Sequence, residues 1–477
     1  MQNNQNAIID PPYEEPARQN YFIEKCRAII EERCESLGVR PTACPRAFGC
    51  QMNARDTEKL AGILQAIGYR IVDDDEADLV IYDTCTVREN ADERVFGRLG
   101  FLNNMKKHNP GKIIGVCGCM TQTPGMAERF RERLRFVDLV FGTYNVYKLA
   151  ELLYRRLTGE EQVIEIWDKA DFIVEDLPVK REYSYKSGVN IMYGCNNFCS
   201  YCIVPYVRGR ERSRRPDEIV EEVKRLASDG VREIMLLGQN VNSYGKGLDT
   251  PCSFARLLHM VSEVDGIDRI RFMTSHPKDL SDELIDAMAS IDKICRHLHL
   301  PLQSGSDRIL KRMNRHYTKE GYLDLARRIR AAVPGISLTT DIIVGFPGET
   351  DEDFEHTMDV VGQVRFQSAF TFQYSPRTGT PAASFPDQVP HEDVQRRFDR
   401  LLRKVQEIST ELTREGAGRV EPALVEAVSE KNPGCVTGRL GNNLMVHFPG
   451  DESMIGEIHD VMLTEARGFY YMGRLIK

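Results

Sequence analysis

The chain has 477 residues, of which 42% are hydrophobic and 28% charged, with a formal net charge of -8. That length is too great for one ordinary core and predicts about two to four domains in a globular chain. No apolar run reaches the roughly 18 residues of a membrane-spanning helix. The start, MQNNQNAIIDPPYEEP, lacks the basic head and apolar centre of a secretory leader, so a cytoplasmic location without a membrane partner is expected. The acidic balance gives no general electrostatic footprint for nucleic acid. Thirteen cysteines, an odd number, do not make a disulfide framework in a reducing compartment. The useful question is which of them stand at metal-ligand spacing.

Residues 1–44 form an N-terminal extension with one predicted helix, YFIEKCRAIIEERCESLG. From 45 to 158 strands and helices alternate. Strands are predicted at DLVIYDTC, KIIGVCGC and VDLVFG, and helices at ARDTEKLAGILQAIG, ENADERVFGRLGFLNNMKKH and TPGMAERFRERLR, which implies βαβ units on a parallel, Rossmann-like sheet. Residues 159–187 read as a linker.

A longer alternation fills 188–413. Its candidate strands are VNIMYGC, EIMLLGQNV, RIRFMTSH, RHLHLPLQ, SLTTDIIVGF and AFTFQYSPR, with helical patterns such as RPDEIVEEVKRLASDG and DEDFEHTMDVVGQVRF between them. Six βα units predict a partial TIM-type barrel whose chemistry lies at the C-terminal ends of its strands. After a long charged helix around HEDVQRRFDRLLRKVQEISTELTREG, residues 414–477 turn to short strands separated by NPG, GNN and PGD turns. RVEPALVEAV, CVTGRL, NLMVHF and GFYYMGRLI fit a small antiparallel β barrel. The fold class is thus α/β, with a β barrel appended.

The sharpest motif is GCNNFCSYC, which sets Cys195, Cys199 and Cys202 at C-x3-C-x2-C spacing directly after a strand. Three soft thiolates on one loop suit three irons of a [4Fe-4S] cluster, and the lack of a fourth nearby cysteine leaves one iron open to an outside ligand. Zinc is the rival occupant, but zinc sites usually pair two C-x2-C knuckles or add histidine, and no histidine lies near this loop. A second set is scattered. Cys50, Cys85 and Cys119 each fall at the end of a candidate strand, the edge of an open sheet where ligands bind. From the residues alone, separate buried cysteines are the better reading of this set. Cys26, Cys34, Cys252, Cys295 and Cys435 have no partner at ligand spacing and read as small buried residues.

The barrel and its three-cysteine loop, with Tyr201 before the last cysteine, resemble the radical S-adenosylmethionine (SAM) superfamily. GCQMNARDTE, DTCTVRENA and GCMTQ further resemble the three cysteine motifs of the methylthiotransferase family within it. The resemblance implies two [4Fe-4S] clusters, an auxiliary one on Cys50, Cys85 and Cys119 and a radical SAM one on Cys195, Cys199 and Cys202, with Cys44 and Cys117 outside both sets. It also implies that SAM is chelated at the open iron and cleaved to methionine and a 5′-deoxyadenosyl radical. The last domain, from VEAVSEKNPGCVTGRLGNNLMVHFPG to YYMGRLIK, resembles a TRAM domain, a small RNA-binding barrel.

At the predicted strand ends, Gln239, Asn240, Gln303, Ser304 and Asp341 are candidate SAM contacts, each readable equally as a turn or cap residue. His276 and His299 read as hydrogen-bonding residues rather than bases, because hydrogen abstraction by a radical needs no strong base. The run VRGRERSRR places Arg208, Arg210 and Arg212, with Arg214 and Arg215 beyond, just after the cluster loop. They are candidates to meet substrate phosphates or the SAM carboxylate, against the plainer reading of a solvated charged face.

By the resemblance, the expected activity is methylthiolation of carbon 2 of N6-isopentenyladenosine beside the anticodon of tRNA. The alternatives are N6-threonylcarbamoyladenosine in tRNA or an aspartate of a ribosomal protein as target and, from another class, a non-catalytic zinc protein that binds RNA. The expected partners are a tRNA anticodon stem-loop, a reductant such as flavodoxin or ferredoxin, and a sulfur donor, with the chain acting as a monomer.

Overall fold

The computed structural model describes residues 10–86, 91–170 and 172–476, so the first nine residues and residues 87–90 of DTCTVRENA lie outside the described set. The chain divides into two compact units. The first runs through Glu182 and takes in Ile203–Arg212; the second holds Tyr183–Cys202 and everything from Ser213.

Six parallel strands form the sheet of the first unit, in the spatial order Arg70–Ile71, Thr42–Phe48, Leu79–Thr84, Ile113–Gly118, Leu139–Phe141, Val163–Glu165. The apolar residues of a parallel strand serve both faces. Leu79 and Ile81 join one buried layer with Leu60, Ile63 and Leu64. Val80 and Tyr82 join the other, with Val95, Leu99 and Phe130. This is the two-sided helix cover expected of a doubly wound sheet.

Three elements differ from the sequence expectation. Thr42–Phe48 is a strand, begun before residue 45; its sequence TACPRAF has neither alternation nor a β-branched run to announce it. Val163–Glu165 extends the sheet from what reads as linker. The helix Ala17–Leu37 belongs to the core rather than to an accessory arm. Its Gln19, Phe22, Ile23, Cys26 and Ile30, spaced to share one helical face, are all buried, and Arg18 pairs with Glu151 at 2.8 Å.

In the second unit, Lys186–Asn190, Glu233–Leu237 and Arg269–Phe272 form one parallel trio, and His297–His299, Ser337–Val344 and Ser368–Gln373 another. A parallel bridge between Ile270 and Ile294 joins them, giving the six strands of a partial barrel. The last 57 residues or so form a closed five-stranded barrel with four antiparallel pairings and one parallel pairing, between Met445–His447 and Tyr470–Met472. Its strand Ile458–Arg467, absent from the sequence expectation, sends Val461 and Leu463 into the barrel core. The small barrel is fastened at the start of the larger barrel's strands. Arg269 donates to the carbonyls of Arg439 and Pro422 at 2.8 and 2.6 Å, and Lys186 pairs with Glu426 at 2.8 Å.

Among the described residues, no helix is long and apolar enough to cross a membrane.

Candidate active site

Strand register assembles the scattered cysteines. Phe48 pairs with Thr84, and Thr84 with Gly118, so three adjacent strands end level with one another. Cys50, Cys85 and Cys119 follow these ends by one or two residues and therefore share one edge of the sheet. Close approach of the loops depends on glycine. A Cβ on Gly49 would lie 2.7 Å from the Cys85 Cβ, and one on Gly118, whose φ is +95°, would lie 2.2 Å from an Asp83 carboxylate oxygen.

Asn53, in the first turn of the helix that starts after Cys50, accepts a hydrogen bond from the Cys50 thiol at 3.2 Å and donates to Asp83 at 2.8 Å and to the Thr84 carbonyl at 3.1 Å. Burial pushes the Cys119 thiol up to about 12; the buried Arg208 opposes that rise, and neighbouring Cys85 and Cys50 add to it. Burial and then Asp56 likewise push the fully buried Asp83 carboxyl well above its ordinary range. Three thiols at one edge beside a buried cation suit an anionic group held by thiolates. Cys44 and Cys117 are buried in the sheet's apolar layers. They lie within the strands, one in each layer.

In the barrel, Cys195, Cys199 and Cys202 occupy the loop that follows the first strands, with Gly194 at φ +78° and Phe198 at φ +46° letting it turn tightly. The segment 312–317 holds this loop. Asn314 donates to the carbonyls of Asn197 and Phe198 at 3.1 and 3.0 Å, and Ser200 donates through its hydroxyl to the Arg312 carbonyl at 2.8 Å. Arg315 donates to the Cys199 sulfur at 3.5 Å and to the Pro301 carbonyl at 3.0 Å. Burial works against the Arg315 charge, but Tyr317, Tyr201 and Cys199 hold its pKa well above the ordinary value. Sequence reasoning did not single out Asn314 or Arg315; the only signal was an Asn-Arg pair closing a short helix in KRMNRHY.

The candidate SAM contacts fall into different places. The Gln239 amide oxygen accepts from the Gly194 backbone, so Gln239 anchors the cysteine loop. Asn240 is buried, donating to Asp279 at 2.8 Å and accepting from the His276 backbone at 3.1 Å. Ser304 is fully buried against Thr357 and Ser306. Gln303 holds a left-handed φ of +66°. Asp341 lies 3.3 Å from His299 Nε2. Burial holds His276 down to about 2, hence neutral; its Nδ1 accepts from the Lys278 backbone at 3.2 Å, which leaves the proton on a buried Nε2 that has no hydrogen-bond partner among the described residues.

The arginine run does not present one phosphate-facing surface. Arg208 is 5% exposed and pairs with Asp56 at 3.2 Å; its charge is resisted by burial but sustained by Cys119, Asp56, Cys50 and Asp83. Arg212 donates to the Ala170 carbonyl at 2.8 Å and lies over the Tyr144 ring. Arg214 is buried against Glu222 at 2.7 Å. Arg210 and Arg215 are exposed, the latter pairing with Asp217 at 2.5 Å. Neighbouring arginines of the run thus have different partners and different exposure, which a charge count along the sequence does not register.

A six-stranded partial barrel with a three-cysteine loop is the architecture of a radical SAM domain, and the Radical SAM superfamily profile matches residues 189–361. The profile of uncharacterized protein family UPF0004 matches residues 42–142, and that of the TRAM domain residues 415–476. The chain is 57% identical over 452 residues, 95% of its length and 99% of the relative's, to the tRNA-2-methylthio-N(6)-dimethylallyladenosine synthase of Lachnoclostridium phytofermentans. It is 50% identical over 473 residues to the protein of the same name from Acetivibrio thermocellus, covering 99% of this chain and 98% of the relative. Among solved structures, TsrM of Kitasatospora setae, a radical SAM methyltransferase with cobalamin and a [4Fe-4S] cluster bound, aligns with a TM-score of 0.52 at 17% identity, over 72% of this chain and 76% of that one, a likeness of fold. The chain belongs to the methylthiotransferase family of radical SAM enzymes, together with the tRNA-2-methylthio-N(6)-dimethylallyladenosine synthases. An iron–sulfur cluster and SAM go with that family.

Proposed function

We propose that this enzyme replaces the hydrogen on carbon 2 of N6-dimethylallyladenosine in tRNA by a methylthio group. The observation that carries the reading is the pairing of two three-cysteine sets in one chain, one on a barrel loop and one at the end of a parallel sheet. Cys195, Cys199 and Cys202 would hold one [4Fe-4S] cluster, and Cys50, Cys85 and Cys119 the second. When bound, these clusters supply the electron that splits SAM and a site where sulfur is held.

The chain's own residues do the positioning. Asn314, Ser200 and Gln239 fix the shape of the barrel loop, and Arg315 places a positive charge on the Cys199 sulfur. Asn53 orients Cys50, and Arg208 balances the buried negative groups around Cys119. Gln303 is the proposed contact toward SAM from the strand ends, and Arg210 the proposed phosphate contact. A hydrogen on a purine ring carbon is not acidic, so its removal calls for a radical rather than a base. The base must also leave its stack to reach a barrel. A tRNA anticodon stem-loop, a flavodoxin or ferredoxin as reductant and a sulfur donor complete the reaction, and the enzyme works as a cytoplasmic monomer.

The test is mass spectrometry of tRNA nucleosides from cells with and without the gene. Loss of the 2-methylthio nucleoside with accumulation of its unthiolated precursor supports the reading. An unchanged nucleoside profile overturns the substrate assignment.

A further inference from the structure

The inner face of the partial barrel carries an aromatic surface. On Ser337–Val344, the residues Leu338, Ile342 and Val344 pack into the apolar layer with Phe354, Val360 and Leu401 of the outer helices. Leu298 belongs to that layer, and Ala369 packs against it. Alternation turns Thr339, Asp341 and Ile343 the other way, into the concavity. Parallel register then sets Ser368 beside Thr339, Phe370 beside Asp341 and Phe372 beside Ile343, and it sets His299 beside Thr339 on the opposite flank.

Phe370 is 54% exposed and Phe372 47% exposed, although they stand two residues apart on one strand of a barrel interior. Adjacent apolar rings left open in a concave site mark a surface that a ligand covers. Polar groups border the rings on one side. His299 meets Phe370 edge-on at 5.8 Å between centroids, its Nδ1 is 3.0 Å from the Thr339 hydroxyl, and its Nε2 is 3.3 Å from the Asp341 carboxylate.

We propose that Phe370 and Phe372 receive the branched hydrocarbon on N6 of the substrate adenosine, with His299 and Asp341 at the edge of the base, and that this surface selects prenylated adenosine over its threonylcarbamoyl counterpart. The inference rests on the tRNA reading given above. A dimethylallyl group gains by leaving water for two phenyl faces. A threonylcarbamoyl group carries a carboxylate, which gains nothing from those faces and is repelled by Asp341. The selection is thus both attractive and repulsive on the same few side chains.

The test uses anaerobically reconstituted full-length enzyme and anticodon stem-loop RNAs carrying adenosine, N6-dimethylallyladenosine or N6-threonylcarbamoyladenosine, with dissociation constants read by fluorescence anisotropy. Wild type should bind the prenylated RNA about tenfold more tightly than the unmodified one, the effect of burying one or two methylene equivalents. Phe370→Ala/Phe372→Ala should bind the two alike, and Phe370→Leu, which keeps apolar area, should retain most of the preference. Asp341→Asn should improve binding of the threonylcarbamoyl RNA relative to the prenylated one. A double variant that keeps the full preference, or that weakens both RNAs equally, overturns the proposal. If that variant keeps its preference while wild type still methylthiolates the prenylated RNA, only the aromatic surface is refuted; if wild type methylthiolates no prenylated RNA, the functional reading falls and takes this inference with it.

Discussion

The two cysteine sets are placed by opposite routes. Cys195, Cys199 and Cys202 lie within eight residues, and their loop is held by one neighbouring segment, 312–317. Cys50, Cys85 and Cys119 are spread over 70 residues and share one sheet edge because three strands pair in one register. A local set depends on loop geometry and tolerates change elsewhere in the barrel. A set assembled from strand ends depends on the whole sheet, so it should be the more fragile of the two under mutations that only affect stability.

The largest expected effects come from the ligands. Cys199→Ala should abolish reductive SAM cleavage, measured as 5′-deoxyadenosine by chromatography. Cys85→Ala should stop methylthiolation while 5′-deoxyadenosine still forms, and retained methylthiolation would break the proposed division of labour. Next comes Arg208→Ala, which leaves Asp56 and Asp83 buried without their cation. Removing one partner of a buried pair costs about 3–5 kcal/mol, so thermal unfolding of the first unit should fall well below wild type and cluster content at Cys50, Cys85 and Cys119 should drop with it.

Gly118→Ala is smaller. A side chain at φ +95° costs about 1–3 kcal/mol, before the contact with Asp83 is counted. Iron at the first set should be lost while the barrel set remains loaded, which electron paramagnetic resonance can distinguish; equal loss at both would contradict the independence of the two sets.

The smallest effect concerns pH. Burial, reinforced by Arg271 and His299, holds the pKa of His297 down to about 3, so its imidazole is neutral in the fold. The sign follows from the unfolded chain, which takes up a proton near pH 6.5 while the folded one does not. The stability contributed above that pH is lost as pH falls toward 3. Between pH 6.5 and 5.5, His297→Gln should flatten the acid-side loss by up to about 1 kcal/mol in chemical denaturation.

The same contrast explains what the sequence displayed. Six βα units and the C-x3-C-x2-C loop are local patterns, and both are found where the spacing places them. The strand-end set was legible only as three cysteines after candidate strands, because no one-dimensional pattern records that Phe48, Thr84 and Gly118 share a register; resemblance supplied the grouping. Strand Thr42–Phe48 hid behind a central proline, and helix Ala17–Leu37 disclosed its buried face only once a sheet was present to receive it. Arg208 looked like part of a basic surface run and proves to be an interior counter-charge. Asn314 and Arg315 act across more than 110 residues of sequence, through hydrogen bonds that residue types alone do not signal.

The most direct test of the two-site account is iron and acid-labile sulfide analysis of anaerobically reconstituted enzyme, with the triple variants Cys50→Ala/Cys85→Ala/Cys119→Ala and Cys195→Ala/Cys199→Ala/Cys202→Ala beside it. Two [4Fe-4S] clusters require about eight irons in wild type and about four in each triple variant. About four irons in wild type, unchanged when the first cysteine set is removed, would contradict it.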